Sequence, residues 1–401
     1  MRKSLLLLAL LSLSARAEFS IPGFELIHTV PVQTQLATPD LRSPTPVWCQ
    51  LFDGAKHSID IAQFYASGKP GEPLDQVMAH LKAAGKRGVK IRFLMDKHGL
   101  RASEQSTLDA LKAIPNLEFR LIDYGKVGGG IIHAKYFVID GKEGYLGSQN
   151  FDWRSLKHIH EAGLLISDAK VAGQMQAIFD IDWQAQKLLA EGKPVPVQNQ
   201  HKVLADESQG NYLVASPNAF NPPGVGDSES ELPKLLAKAK KEVLIQVMEY
   251  APLSYAPGIR PYYAVIDDAI RATAQRGVKV KLMVADWNTQ EPELSYLKSL
   301  AVLPNVEVKV VTLPQAKEGF IPYARVIHTK TMDIDDQIAW LGTSNWEGGY
   351  LDNSRNLEMV MQDAKMAKRL GELHRQLWDS PYAKAIDLDK AYPRPHPGTE
   401  H

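Results

Sequence analysis

Apolar positions in this chain come alternately in short continuous runs and at helical spacing. Runs rich in Val, Ile and Leu over residues 58–65, 89–95 and 131–139 predict buried strands, and the apolar spacing over 74–84 predicts a helix between the first two. Gly85 and Gly88 suit the end of that helix and the turn into the next strand. Strands alternating with helices in this way argue for α/β architecture.

The pattern then repeats. Ala-Lys followed by an apolar run ending in Tyr occurs up to Tyr65 and again up to Tyr250, 185 positions apart. Arg-Gly-Val-Lys before an apolar run recurs 189 positions apart, at Arg87 and Arg276, and Pro-Asn recurs at the same interval, at Pro115 and Pro304. Registers this steady indicate an internal duplication. Residues 191–200, with Gly192, Pro194 and Pro196, read as the linker between the copies, which places the units at 18–200 and 201–401. The proline- and glycine-rich stretch 216–226 reads as a loop inside the second copy. The segment around Pro393, Pro395 and Pro397 reads as an extended or poorly ordered tail.

Residues 1–17 stand apart from this pattern. Arg2 and Lys3, an apolar stretch over 5–13 and Ala15-Arg16-Ala17 have the layout of an export signal cleaved after Ala17, which predicts a periplasmic or extracellular protein. The apolar stretch is well short of the ~20 residues that span a bilayer.

Composition narrows the function. With 44% hydrophobic and 23% charged residues, the chain is neither disordered, collagen-like nor a polytopic membrane protein. Lys plus Arg and Asp plus Glu are equal at 46 each, which disfavours nucleic-acid binding through overall charge but leaves room for a local basic groove. A single cysteine, Cys49, permits neither an internal disulfide nor a cysteine metal cluster.

A fourth repeated pattern carries the chemistry. His133, Lys135, Asp140, Gly147, Ser148 and Asn150 recur at identical offsets as His328, Lys330, Asp335, Gly342, Thr343 and Asn345. Strand alternation places each His and Lys on one face, and the small residue after the next strand lets the backbone turn close to a ligand, with Ser148 or Thr343 and the Asn donating into that space. Two copies facing each other across a two-fold axis surround an anion with two imidazoles, two ammonium groups, two amides and two hydroxyls. Such a pocket suits a phosphate: one imidazole attacks phosphorus, the other protonates the leaving oxygen, and lysines supply the positive charge without a metal or other cofactor.

These residues resemble the HxKxxxxD motif of the phospholipase D superfamily, complete in both copies. The run from Tyr145 through Asn150 and Trp153 to Leu156, the run from Ile321 to His328, and Leu341-Gly342-Thr343-Ser344-Asn345-Trp346 are similar to the subgroup of animal lysosomal phospholipase-D-like proteins and a poxvirus envelope protein. The likeness covers residues 51–361; the chain departs from the animal members in lacking their cysteines and long membrane anchor. The resemblance implies two tandem homologous domains related by a pseudo-two-fold axis, each a mixed β-sheet flanked by helices. It further implies His133 as nucleophile forming a phosphohistidine, with His328 as acid and then base, although the two roles could be exchanged. Lys135, Lys330, Asn150 and Asn345 would hold the phosphate, and Asp140 and Asp335 complete the motif, more as structural partners than as participants.

Glu161 and Glu358, 28 and 30 residues after their histidines on apolar runs, are candidates for fixing an imidazole tautomer. Gly128-Gly129-Gly130 reads as a substrate lip or a plain turn, and Trp287 and Trp346 as stacking candidates or packing residues. His57, His98, His158 and His160 read as surface or satisfied residues; no third ligand at suitable spacing turns His158 and His160 into a metal site. The expectation is an exported, metal-independent phosphodiesterase acting on single-stranded nucleic acid as a 5′ exonuclease, or on phospholipid. The alternatives are a phosphatidyl transferase of the cardiolipin-synthase kind and a non-catalytic envelope protein. A phosphodiester is the expected partner, with peripheral membrane contact in the lipid case. One chain holds both motifs, so the site needs no second subunit and homodimerisation is left open.

Overall fold

The computed structural model describes residues 18–255 and 260–399; the expected leader at 1–17 lies outside them. Two large mixed sheets dominate. The first runs Ser20–Ile21, Phe24–Thr29, Glu161–Ile166, Glu143–Gly147, Tyr136–Ile139, Ser58–Gln63, Lys90–Asp96, Leu117–Ile122. From Asn211–Ser216 through Asn356–Met361, Ile338–Gly342, Thr331–Ile334, Glu242–Gln246 and Lys279–Ala285 to Val306–Val311, the second repeats the order from Phe24–Thr29 onward strand for strand, with Gly226–Asp227 and Ala383–Ala385 added at its edges. In each, three parallel strands built by helical crossovers meet antiparallel strands built by hairpins. The near-continuous apolar runs of the sequence are strands covered on both faces.

The two sheets share a core. Leu146, Ala162 and Leu164 of the first pack in one cluster with Leu341, Leu357 and Met359 of the second. The helices Ala169–Ala190 and Ala364–Trp378 each carry apolar side chains into it, including Met175, Phe179, Met366 and Leu370. Each sheet's outer face has a separate cluster, centred on Trp48 and Phe137 in the first half and on Trp340 and Trp346 in the second. The chain crosses between halves from Ala190 to Asn211, and this segment is tied down: Gln198 N donates to Ala219 O, and Asn199 Nδ2 to Asn218 O and Asn221 O.

Sheet register corrects one matched pair. Ala66, not Tyr65, pairs with Phe151 as Tyr250 pairs with Trp346, so the structural partner of Tyr65 is Glu249. A one-residue slip on extended chain exchanges faces. Tyr250 is therefore a core residue bonded to Asp267, while Tyr65 and Glu249 face the seam between the halves.

Candidate active site

Each His-x-Lys segment lies just before a strand rather than within it: the strands begin at Tyr136 and Thr331. The segments are held by the opposite half. His133 N and Ala134 N donate to Arg355 O (3.0 and 2.9 Å), and Arg355 N donates to Ile131 O. In the mirrored arrangement His328 N donates to His160 O at 2.8 Å and His160 N to Val326 O at 3.0 Å. Both imidazoles consequently face one cleft of about 910 Å3, walled also by Asn150 and Asn345.

The rings have unequal partners. His328 Nδ1 meets Glu161 Oε2 at 2.8 Å, and His133 Nδ1 meets Asn356 Oδ1 at 3.2 Å. Asn356 donates its Nδ2 to Tyr350 O and accepts from Thr343 Oγ1, so its oxygen is turned to His133. The His133 proton then sits on Nδ1, leaving Nε2 with a free lone pair. Tyr350 also packs edge-on against His133, 4.8 Å between ring centroids.

Burial sets the electrostatics. It depresses both imidazoles well below their ordinary range, and the two lysines push them in the same direction. Burial lowers Lys330 to about 7 against the pull of Glu161 and Glu249, and together with Lys330 it lowers Lys135 well below the lysine range. Burial raises Glu161 to about 8, opposed first by Lys330, and also raises Glu249. Each Lys Nζ donates to the carbonyl of its own motif histidine, Lys330 at 2.7 Å. The site thus concentrates cationic groups in a place where an anion is needed to stabilise their charge.

Several expected participants are placed elsewhere. Asp140 and Asp335 lie at the far ends of the motif strands, both at positive φ, each accepting three backbone N–H groups: Lys56, His57 and Ser58 for Asp140, and Lys240, Lys241 and Glu242 for Asp335. Partial burial works against it, but these donors hold the Asp140 carboxylate below its usual range. Ser148 Oγ donates to Ala162 O and accepts from Ala162 N, and Thr343 Oγ1 is used on Asn356. Both hydroxyls clamp the neighbouring strand instead of facing the cleft, because the turn at Gly147 or Gly342 brings them against its backbone.

Glu358 is two residues too far along its strand to reach an imidazole. It occupies the position of Gly163 and accepts from Ser228 and Ser344. Trp346 is fully buried against Trp340 and cannot stack on a ligand, whereas Trp287 is half-buried and lines the cleft. The triple glycine packs tightly, since a Cβ on Gly128 would stand 2.4 Å from Asn353 O and one on Gly130 would stand 2.3 Å from Ser354 Oγ. His160 is buried in a chain of side chains, with Gln246 on Nδ1 and His28 on Nε2, while His28 reaches Thr38.

Glu249 and Asn356 were not among the expected residues. An offset of 28 from each motif histidine lands on Glu161 and Asn356, so the signal for Asn356 was present but hidden by the change from carboxylate to amide. Glu249 accepts from Asn345 Nδ2 at 2.9 Å, placing a second carboxylate on the His328 side of the cleft.

Comparison with known proteins agrees with this geometry. Residues 48–183 and 232–378 match a family model described as cardiolipin synthase, PLD-like domain. The chain is 30% identical over 400 residues to the 5′-3′ exonuclease PLD3 of Rattus norvegicus, covering 90% of this chain and 80% of that protein. It is 29% identical over 393 residues to a probable phospholipase D of Caenorhabditis elegans, covering 90% and 70%. Among solved structures, phosphatidylserine synthase of Haemophilus influenzae Rd KW20 superposes with a TM-score of 0.62 at 12% identity, covering 92% of this chain and 89% of that one. The paired motifs, the repeated sheet and these matches together make the chain a phosphodiesterase belonging to the phospholipase D superfamily.

Proposed function

We propose that this protein is an exported phosphodiesterase that hydrolyses single-stranded nucleic acid from a 5′ end through a phosphohistidine. The observation that carries the division of labour is the unequal pairing of the imidazoles. His133, with a neutral amide on Nδ1, presents the Nε2 lone pair to phosphorus, and the P–N bond forms as the bond to the leaving oxygen breaks. His328, paired with Glu161, holds the proton that this oxygen receives; an arriving phosphodiester anion favours that proton on the imidazole. Neutral His328 then takes a proton from water as it attacks phosphorus, the P–N bond breaks, and His133 is released. Lys135, Lys330, Asn150 and Asn345 stabilise the equatorial oxygens, and no step calls on a metal. Asp140 and Asp335 keep the strands in register. The proposed division into units at 18–200 and 201–401 is supported by the repeated sheet order.

The nucleic-acid reading is supported by exposed aromatic rings at the rim, Tyr255 (74% exposed) and Tyr323 (55%), by Arg101 and Arg154 in the lining of the same cleft, and by the exonuclease name of the rat relative. Export rests on the leader-like residues 1–17. Phospholipid is the second reading, favoured by the apolar Phe64, Ile159, Met248 and Val326 in the cleft wall.

One experiment separates them: purified protein with chelator is given a 5′-hydroxyl single-stranded oligonucleotide or phosphatidylglycerol vesicles, with His133→Ala as control. Shortening of the oligonucleotide, lost in the control, is the expected result. Head-group release or exchange without shortening overturns it in favour of lipid chemistry.

A further inference from the structure

A second cavity, of about 980 Å3, adjoins the catalytic cleft, and Trp287 lines both. It sits where the parallel strands Lys279–Ala285 and Val306–Val311 end, at Asp286 and Thr312, the edge where open α/β sheets commonly bind ligands. Its outer wall is the C-terminal segment, residues 381–397, whose prolines suggested an extended or poorly ordered tail.

That segment is docked at several points. Ala383–Ala385 pairs antiparallel with Val306–Val311. Lys298 Nζ donates to Leu388 O and Lys390 O, both at 2.8 Å, and Asp387 N donates to Tyr392 Oη at 3.0 Å. At its far end Tyr323 N donates to Pro397 O at 2.7 Å, which joins the tail to the rim of the catalytic cleft. The cavity is therefore preformed and adjoins the site across Trp287.

Its chemistry is cationic and aromatic. Lys384, Lys390 and Arg394 stand against two acids, Asp286 and Asp387, and Tyr382, Tyr392 and Trp287 supply rings. Lys390 Nζ lies 5.1 Å from the centroid of Tyr392, so charge and ring occur together. Asp286 adds a buried Oδ1 with no hydrogen-bond partner among the described residues, an acceptor for an amino or hydroxyl donor. Interleaved cations and rings are what a flexible polyanion with stacking faces requires.

We propose that this cavity is a second binding site, which holds the single-stranded nucleic acid 3′ to the scissile phosphate, with bases against Trp287, Tyr382 and Tyr392 and phosphates against Lys390 and Arg394. The inference rests on the exonuclease reading and deepens it: the tail makes turnover depend on substrate length. On this reading a dinucleotide engages the histidines alone, whereas an oligonucleotide of about ten residues engages the tail as well.

The test compares wild type with the Lys390→Glu/Arg394→Glu double variant on three substrates: a dinucleotide, a 5′-hydroxyl 12-mer and bis(p-nitrophenyl) phosphate. The expected result is a kcat/KM for the 12-mer about tenfold lower, mostly through KM, with the other two rates unchanged. The salt dependence of 12-mer binding should flatten by roughly 0.7 per phosphate contact removed. Unchanged kcat/KM on the 12-mer overturns the second site and leaves the exonuclease reading standing. Wild-type turnover of bis(p-nitrophenyl) phosphate with no cleavage of either oligonucleotide overturns both. Loss of binding to anionic vesicles, with 12-mer cleavage intact, overturns the proposal by making the tail a membrane contact.

Discussion

Glu161 and His328 lie on opposite halves of the molecule and meet at 2.8 Å, carboxylate oxygen to Nδ1. The other imidazole has no such charge beside it, only the Asn356 amide. This difference gives the pH profile a direction. In its proposed role as the acid His328 must be protonated, so its ionisation should set the alkaline limb of activity. With the anion bound the pair's proton lies on His328 and Glu161 is its carboxylate partner; an amide there makes imidazolium less favourable, so Glu161→Gln should move that limb to lower pH and reduce kcat by about tenfold or more. Asn356→Asp should do the opposite at His133, raising its pKa and moving the acid limb to higher pH. Profiles of kcat against pH for both variants check this; limbs that stay in place would remove the assigned roles.

Anion binding should take up protons. Lys330 is lowered to about 7 chiefly by burial, so just above neutrality much of it is uncharged. An anion placed against it restores the ammonium form, so between pH about 7 and 9 binding draws a proton from solution and weakens as pH rises. Sulfate has no ionisation of its own in this range. Calorimetric titration with sulfate in buffers of different ionisation enthalpy measures the uptake, and Lys330→Met should reduce it, with Lys135 and the imidazoles supplying the remainder.

Asp140→Ala should cost stability and spare chemistry. Its carboxylate accepts from three successive backbone N–H groups at 2.7–2.8 Å, at the end of the strand away from the cleft. A loss of about 1–2 kcal/mol in denaturant unfolding is expected, with kcat within about twofold of wild type. A collapse of kcat in a folded variant would return Asp140 to the reaction.

Arg355 and Asp182 form a two-point ion pair, 2.8 and 2.9 Å, with both side chains essentially inaccessible. Arg355 also donates to Ser216 O, Phe220 O and Asn221 Oδ1. Asp182→Ala leaves that guanidinium without its counter-charge and should destabilise by about 3–5 kcal/mol. Asp182→Leu combined with Arg355→Met should recover part of the loss. Midpoints of guanidinium unfolding decide, and equal midpoints for wild type and Asp182→Ala would contradict the assignment.

The sequence revealed periodicity and identity better than direction. Duplicated registers at Arg87 and Arg276 announced two equivalent sheets, and the shared spacing from His133 and His328 found both imidazoles, both lysines and both amides. What spacing could not reveal was where a side chain is used. Ser148 and Thr343 have the right chemistry for a ligand, yet the turn that carries them brings each onto a neighbouring backbone. Glu358 attracted notice as a carboxylate, while the residue that touches His133 is an amide two positions earlier. Tyr65 and Tyr250 look equivalent in sequence, and only strand pairing reveals that Glu249 stands where Tyr65 does.

The crossed backbone bonds at the seam have a mechanical consequence. The main chain of His133 hangs from Arg355 in the other half, and that of His328 from His160, so any hinge movement between the sheets would drag both rings at once. These bonds tie both halves of the site to one frame. On the nucleic-acid reading proposed above, a polymer then feeds in and out along the open groove, and the pace of repeated cutting is set by how freely the strand slides, not by opening and closing of the protein.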